Sequence, residues 1–449
     1  MTYLKNKRFM YILFVIVPVF FVQNNQTATN AQENELVNEL TIPVDCETLT
    51  EALAKIAENG TVFLEERTKL VVTSPIEISK NVSVIGKGLL KSTVVFKDAG
   101  SIRIKIDDPG AARIKPAEVS SNDAVKFPET VFNAETNVVF RNINFEREGR
   151  LNETIDNEYE GLVQERNVAL EHGLEPSISE EQFRNEGLNY RNKMLNFQAP
   201  ITIDAMVMLI EKKDYLLLIE SGNVSVKDCT VSNCNGVGIA VFGSNSNLIA
   251  ENSIFGNNYA GGIIVKDSKI FARYCIFSKS LDAAIYSENS KALLYFCSIK
   301  DSGLSGVSAD DDSVVGLVET EVSNSIAVGI ACSNGTTLYM CGGKINNTLT
   351  SIEAHFYCNV FVEEIQLSNA LVNVNLTNHS NFQAKRSHFS NSGFLLDCQH
   401  HCVVTFEKTV KIYKSVPRDG ALGSGSLFHR SDEIDSPPVL TLLEEALSL

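Results

Sequence analysis

Tryptophan is absent from the 449 residues, and histidine (7), methionine (6) and proline (11) are scarce. Any carbohydrate platform must therefore be built from tyrosine or phenylalanine. The seven histidines form no recognisable catalytic constellation. "CQHHC" at Cys398–Cys402 gathers two thiols and two imidazoles, but its spacing matches no zinc pattern and the segment reads as a strand end. Basic side chains are also in deficit, 39 against 55 acidic ones, for a net charge of −16. Such a surface repels nucleic acid and offers no basic patch to anionic lipid. It suits cationic partners, calcium or neutral glycans.

Long apolar runs are missing too. The run Phe9–Val22 has 14 residues, short of the roughly 20 a membrane span needs. It follows Lys5, Lys7 and Arg8 and precedes small and polar residues ending in "TNA" at Thr29–Ala31. This is the three-part pattern of a secretory signal peptide. Residues 1–31 are expected to be removed, leaving no transmembrane segment and a secreted protein, periplasmic or surface-bound if bacterial. Loss of three basic and no acidic side chains takes the net charge from −16 to −19. Export would permit disulfides among the ten cysteines. Their scatter is not that of a small disulfide scaffold. Cys275 and Cys297 lie on adjacent coils of the chain's repeat, within bridging reach of each other.

What the chain has in quantity is repetition. "VSN" at Val231–Asn233 returns at Val322–Asn324, as "LSN" at Leu367–Asn369 and as "FSN" at Phe389–Asn391. The apolar residue opening each triplet gives the series Val231, Ile254, Phe277, Ile299, Val322, Ile345, Leu367, Phe389, Ile412, in steps of 22 or 23. A constant step over nine units is a structural repeat. Each unit holds three short pieces rich in β-branched and aromatic residues, such as "NVSVKDCTV" and "GIAV". Three strands in so few residues fit one turn of a parallel β-helix, each strand pairing with its counterpart about 4.8 Å along the axis. The asparagine two residues past the apolar position then serves a sharp turn, because it tolerates left-handed backbone and bonds to its neighbours. Asn233, Asn324, Asn347, Asn369 and Asn391 hold that position, with Asp301 and Lys279 in two coils and Asn257 in a coil with an extra residue. Cys229, Cys275 and Cys297, with Asn252, Thr320 and Ser387, share a column of small side chains.

With these features the chain resembles the secreted right-handed parallel β-helix proteins of the pectin-lyase-like superfamily, including its carbohydrate-binding and sugar-hydrolase domains. "TLTEALAKIAENGTVFL" (Thr48–Leu64) and "IEISKNVSVIGKG" (Ile76–Gly88) are similar to the opening of such folds. The first reads as a capping helix ended by Asn59-Gly60, followed by a strand. The expected fold is all-β: a solenoid of 22–23-residue coils over residues 46–414, with an N-terminal capping helix. A helical hairpin is expected to interrupt it at residues 147–196, where glutamates and helix formers take over. A linker and a short amphipathic helix or strand-plus-cap should fill 415–449.

The resemblance implies three enzymatic chemistries, and the matching motifs are wanting. The aspartate–histidine and arginine–proline–arginine motifs of pectate lyases are absent. "RIK" occurs at Arg103–Lys105 and Arg113–Lys115, but the glycine–histidine–glycine turn of polygalacturonases does not. Nothing matches the paired aspartates of pectin methylesterases. The best remaining cluster is "SADDDS" at Ser308–Ser313. In register, Asp267, Asn289 and Asp311 share a turn column, flanked by Glu288, Asp310 and Asp312. Carboxylates one coil apart can hold calcium or position a carbohydrate; their plain alternative is a solvated turn. The candidate ligand-binding residues are thus Asp267, Asp310, Asp311 and Asp312, with no obligate cofactor, calcium apart. The expected function is a secreted β-helix presenting a long surface to a glycan or protein. A polysaccharide lyase or glycoside hydrolase, and a structural surface protein, are the alternatives.

Overall fold

The computed structural model describes residues 36–106, 136–148, 215–413, 426–431 and 437–448. The signal segment, nearly all of the expected insertion and the second "RIK" lie outside the described residues.

The chain is a right-handed parallel β-helix. One coil shows the plan: strand Val237–Phe242, a turn, strand Ser246–Glu251, a two-residue corner, then the short strand Ile254–Gly256. Each pairs in parallel with its equivalent in the next coil: Ile239↔Ile263, Leu248↔Ile270, Phe255↔Phe277. Three faces result: the GI face, named for "GIAV"; the long face, containing Ser246–Glu251; and the corner face of three-residue strands.

Alternation along each strand sends every second residue inward. Leu248, Ile270, Ala292 and Val315 form one such buried column. Phe255 and Phe277 stack with ring centroids 4.8 Å apart, which is the coil spacing itself. The repeat is thus continued through the side chains.

The turn asparagines behave as the sequence predicts. Asn233, Asn257, Lys279, Asp301, Asn324, Asn347, Asn369 and Asn391 all have φ between 51° and 59°. Asn257 Nδ2 donates to Asn233 Oδ1 (2.8 Å), Asn324 to Asp301 (3.0 Å) and Asn347 to Asn324 (3.2 Å).

The phase of one coil differs from expectation. Phe255, not Ile254, pairs with Val231; Ile254 pairs with Thr230 and is 40% exposed. Two adjacent apolar residues leave alternation with no means to choose between them. With Phe255 inward, Asn257 takes its regular place and no extra residue is needed there. Ser253 rather than Asn252 then fills the small-residue column, where its Oγ accepts the Cys229 N–H at 3.1 Å. Asn252 sits in the preceding left-handed turn and donates to Asp228 (2.7 Å).

The ends also depart from the sequence reading. Strand Val37–Ile42 already pairs with Ile56–Leu64, so the solenoid begins before residue 46. Helix α1, Leu49–Lys55, is capped by Thr48, whose Oγ1 accepts the Glu51 N–H (3.1 Å), and buries Leu49, Ala52 and Leu53. It stops at Lys55; Asn59-Gly60 lies inside the following strand, with Asn59 left-handed. Strand Leu427–Ser431 extends the long face beyond Val403–Glu407.

Helix α2, Val439–Ser448, lies against the outside of the long face. Leu443 is fully buried against Ile249, Phe271, Leu293 and Val318. It fits over Gly316, where an added Cβ would meet Leu443 Cδ1 at 2.5 Å. The solenoid also meets both helix ends with the complementary charge. Glu363 Oε2 accepts the Val439 N–H (2.7 Å), and Lys291 Nζ donates to the Ala446 carbonyl (2.9 Å).

Candidate functional site

Side chains that point outward from the GI face change character along the axis. Over the coils from Leu218 to Ile264 they are apolar: Tyr215, Leu218, Ala240 and Ile264 form a buried outer cluster that ends at Tyr286, while Arg103 and Glu77 continue the column on its N-terminal side. From there polar residues take over. One outward column runs Tyr286, Ser308, Ala331, Glu353, Asn375, Asp397. The column two residues along the strand runs Lys266, Glu288, Asp310 and later Ser333, His355, Thr377. Strict pairing fixes these residues in rows about 4.8 Å apart.

The upper group is acidic. Lys266 Nζ meets Glu288 Oε1 at 2.6 Å, and this bond holds the lysine proton more firmly than usual. Glu288 is only 8% exposed. Asp310 Oδ1 accepts from Ser333 Oγ (2.7 Å), Asn334 Nδ2 (2.8 Å) and the Asp311 N–H (2.9 Å), all uncharged donors. Tyr286 is 8% exposed, and its hydroxyl has no hydrogen-bond partner among the described residues. Burial, and then the negative charges of Asp310, Glu288, Asp311 and Asp282, push its pKa far up, so the phenol stays protonated.

The lower group is a relay. His355 Nε2 lies 2.8 Å from Glu353 Oε1, and His355 Nδ1 lies 2.7 Å from Thr377 Oγ1. An ionised Glu353 can only accept, so a neutral imidazole here would donate from Nε2 to Glu353 and accept the Thr377 hydroxyl at Nδ1. Asn375 Nδ2 also donates to Glu353 (3.1 Å). At the turn beside this group Tyr357, His379 and His401 stack at 5.2 and 5.1 Å. All three are left-handed, with φ of 64°, 65° and 62°.

The predicted turn column is present, with Asp267, Asn289 and Asp311 all left-handed, and the four aspartates take different places about it. Asp267 (φ 52°) lies in a turn and accepts from Asn289 Nδ2 at 2.7 Å. Asp311 (φ 48°) and Asp312 (φ 54°) are exposed turn residues, Asp312 lying over Gly335. Only Asp310 belongs to a strand and to the outer side of the GI face, in register with Glu288. Residues missed by sequence reasoning are Tyr286, Glu353, His355, Asn375 and Thr377. The one available signal was polar residues at the outward places of "GIAV"-type strands, as in "IEAH" at Ile352–His355. The histidines do form groups, contrary to expectation, because coil stacking joins residues 22 apart.

Among the described residues no group of three or more His, Cys, Asp and Glu is arranged to hold a metal. Cys398 and Cys402 are buried in the core, whereas His400 and His401 occupy the left-handed turn between them. "CQHHC" is therefore split between interior and exterior. All ten cysteines are free thiols, nine of them buried. The first "RIK" is also structural: it lies on the strand Ser101–Lys105, where Arg103 makes a paired bond with Glu220. No helix among the described residues is long and apolar enough to cross a membrane.

Residues 201–296 match the family model described as a right handed beta helix region. No curated protein matches by sequence. Among solved structures, the catalytic domain of Agl-KA is similar at 10% identity and a TM-score of 0.45, over 83% of this chain and 63% of that one. The chain thus spans less than two thirds of that domain. The polygalacturonase from Erwinia carotovora ssp. carotovora is similar at 11% identity and a TM-score of 0.40, over 90% and 97%. The catalytic domain of a GH87 alpha-1,3-glucanase gives 9% identity and a TM-score of 0.44, over 89% and 69%. These low figures describe a likeness of fold, and nothing about chemistry follows from them.

Proposed function

We propose that this chain, a right-handed parallel β-helix of pectin-lyase-like fold, binds an extended glycan along the outer side of its GI face. The observation that carries the reading is the polar strip from Tyr286 to Asp397, which runs parallel to the axis over successive coils. A polymer of hydroxyl-bearing rings presents donors and acceptors at a regular repeat, and a stack of coils answers with the same regularity. Ser308, Asn375 and Thr377 supply neutral hydrogen-bonding groups between the carboxylates. Residues 1–31 would direct export, and the mature N-terminus should lie just past Ala31 when sequenced from the secreted protein.

The test is a glycan array followed by titration calorimetry on the full chain, with and without added calcium. Asp310→Ala and Glu353→Ala should weaken binding while leaving the melting temperature within a few degrees. If no saccharide binds, or if both variants bind as well as the parent, the strip is not a glycan site. A calcium requirement would assign the carboxylates a metal-bridging role.

A second reading, turnover at the same strip, is favoured by the Glu353–His355–Thr377 relay. It has the form of a base held by a carboxylate and placed on a hydroxyl. Release of reducing ends, or of unsaturated product absorbing in the ultraviolet, would establish it if His355→Asn abolished the product.

A further inference from the structure

We infer that the Tyr286 end of the strip is a subsite for a protonated amino sugar, an inference that rests on the glycan reading and narrows its ligand. Three observations converge there. Tyr286 points outward, since Ile285 and Ser287 on either side face the interior. Its hydroxyl is buried yet unpartnered among the described residues, a state that costs free energy until something supplies a partner. The groups around it are anionic: Glu288 and Asp310 on the same face and Asp311 in the adjoining turn.

The balance of charge selects the class of ligand. The one cation of the group, Lys266, is already bonded to Glu288. Among the described residues Asp310 is met by a hydroxyl, an amide and a backbone N–H, none of them charged. Negative charge in that excess favours a cationic guest and repels a uronate. A bare divalent ion is the poorer match. Calcium takes six to eight oxygen ligands, and no group of three or more metal-binding side chains converges among the described residues. A primary ammonium asks less: three N–H donors shared between carboxylates and one phenol oxygen. The Tyr286 hydroxyl can accept from the ammonium or donate to a neighbouring ring hydroxyl. The saccharide is favoured over a lysine side chain because the strip continues past the subsite as hydroxyl and amide groups, Ser308 and Ser333 first.

Calorimetry on the full chain with three oligosaccharides decides the matter: a glucosamine oligomer, its fully N-acetylated counterpart and a galacturonate oligomer. The free amine should bind roughly tenfold or more tighter than the N-acetylated form, as a charged hydrogen bond implies. The galacturonate oligomer should bind weakest. Tyr286→Phe removes one oxygen and no packing, so its melting temperature should be equal or higher while glucosamine affinity falls. Asp310→Asn should lower the same affinity by itself, a second route if the first variant folds poorly. Equal affinity for amine and N-acetylated oligomers, with Tyr286→Phe without effect, overturns the subsite and leaves the glycan reading standing. Failure of all three saccharides overturns the subsite, and the glycan reading falls with it only if the array also finds no saccharide that binds. Preference for a lysine-rich peptide over every saccharide overturns the assignment to a sugar.

Discussion

A single asparagine in this fold answers to two constraints at once, a left-handed backbone and a bond to the next coil. Asn324 meets both, giving a bond to Asp301 and receiving one from Asn347. Asn324→Val would strain the turn and strip both bonds, at a cost of about 1–3 kcal/mol. A thermal melt should show a loss of several degrees, and an unchanged midpoint would deny the ladder any part in stability. Four of the cysteines make the opposite case, in which the residue's chemistry is suppressed. Burial pushes Cys229 and Cys398 up to about 12 and Cys341 and Cys358 up to about 11. Only the thiolate attacks electrophiles, so native protein at pH 8 should react slowly with iodoacetamide. Half-buried Cys341 should react first. Denatured, unreduced protein should yield ten reactive thiols; eight would mean that Cys275 and Cys297 are bridged.

At the scale of the element, helix α2 is the piece whose place the sequence left open. Its amphipathic pattern was legible, but not what it covers. The apolar outward residues it buries, Ile249, Phe271 and Leu293, each sit between two apolar inward residues of their strands. A strand buried on both sides reads as a continuous apolar run and does not announce its partner. Gly316, facing Leu443, is the one local sign. Gly316→Leu should expel the helix, and Leu443→Ala should weaken its docking by about 2–5 kcal/mol. Both changes should appear as faster amide exchange across residues 439–448. Burial raises the pKa of Glu444. A raised value means that its favourable contribution is complete below the ordinary carboxylate range and is lost as pH rises through the folded value. At neutral pH the charged Glu444 therefore opposes docking. Glu444→Gln should protect the helix more than the parent does at pH 7, and the difference should vanish near pH 4.

Across the whole molecule, the solenoid was legible because one physical demand, an inward column at each coil, is written nine times in the sequence. The site was not, because its parts are each written once. Glu353, His355 and Thr377 look like scattered polar residues until pairing of His355 with Thr377 brings them side by side. Asp267 and Asp311 are legible as acids of one turn column, and the structure keeps them there as turn residues. The same coil-to-coil logic predicts how the chain tolerates surgery between Arg147 and Tyr215. The strands flanking that gap pair directly with neighbours that do not belong to it: Val224 with Val138, Leu217 with Ile102 and Val231 with Phe145. The two ends are also close, since Arg147 Nη2 donates to the Tyr215 carbonyl at 3.1 Å. Neighbouring coils of a solenoid supply most of each other's stability. Replacing residues 150–194 by a short Gly/Ser linker should therefore leave the strand content and the cooperative melt of the solenoid intact. Collapse of the far-ultraviolet strand signal in that variant would mean that the excised residues are integral to the core. If the solenoid survives, titration of the variant with the saccharides bound by the parent gives the second answer. Retained affinity would place recognition in the GI face alone, and lost affinity with an intact fold would assign part of it to the removed segment.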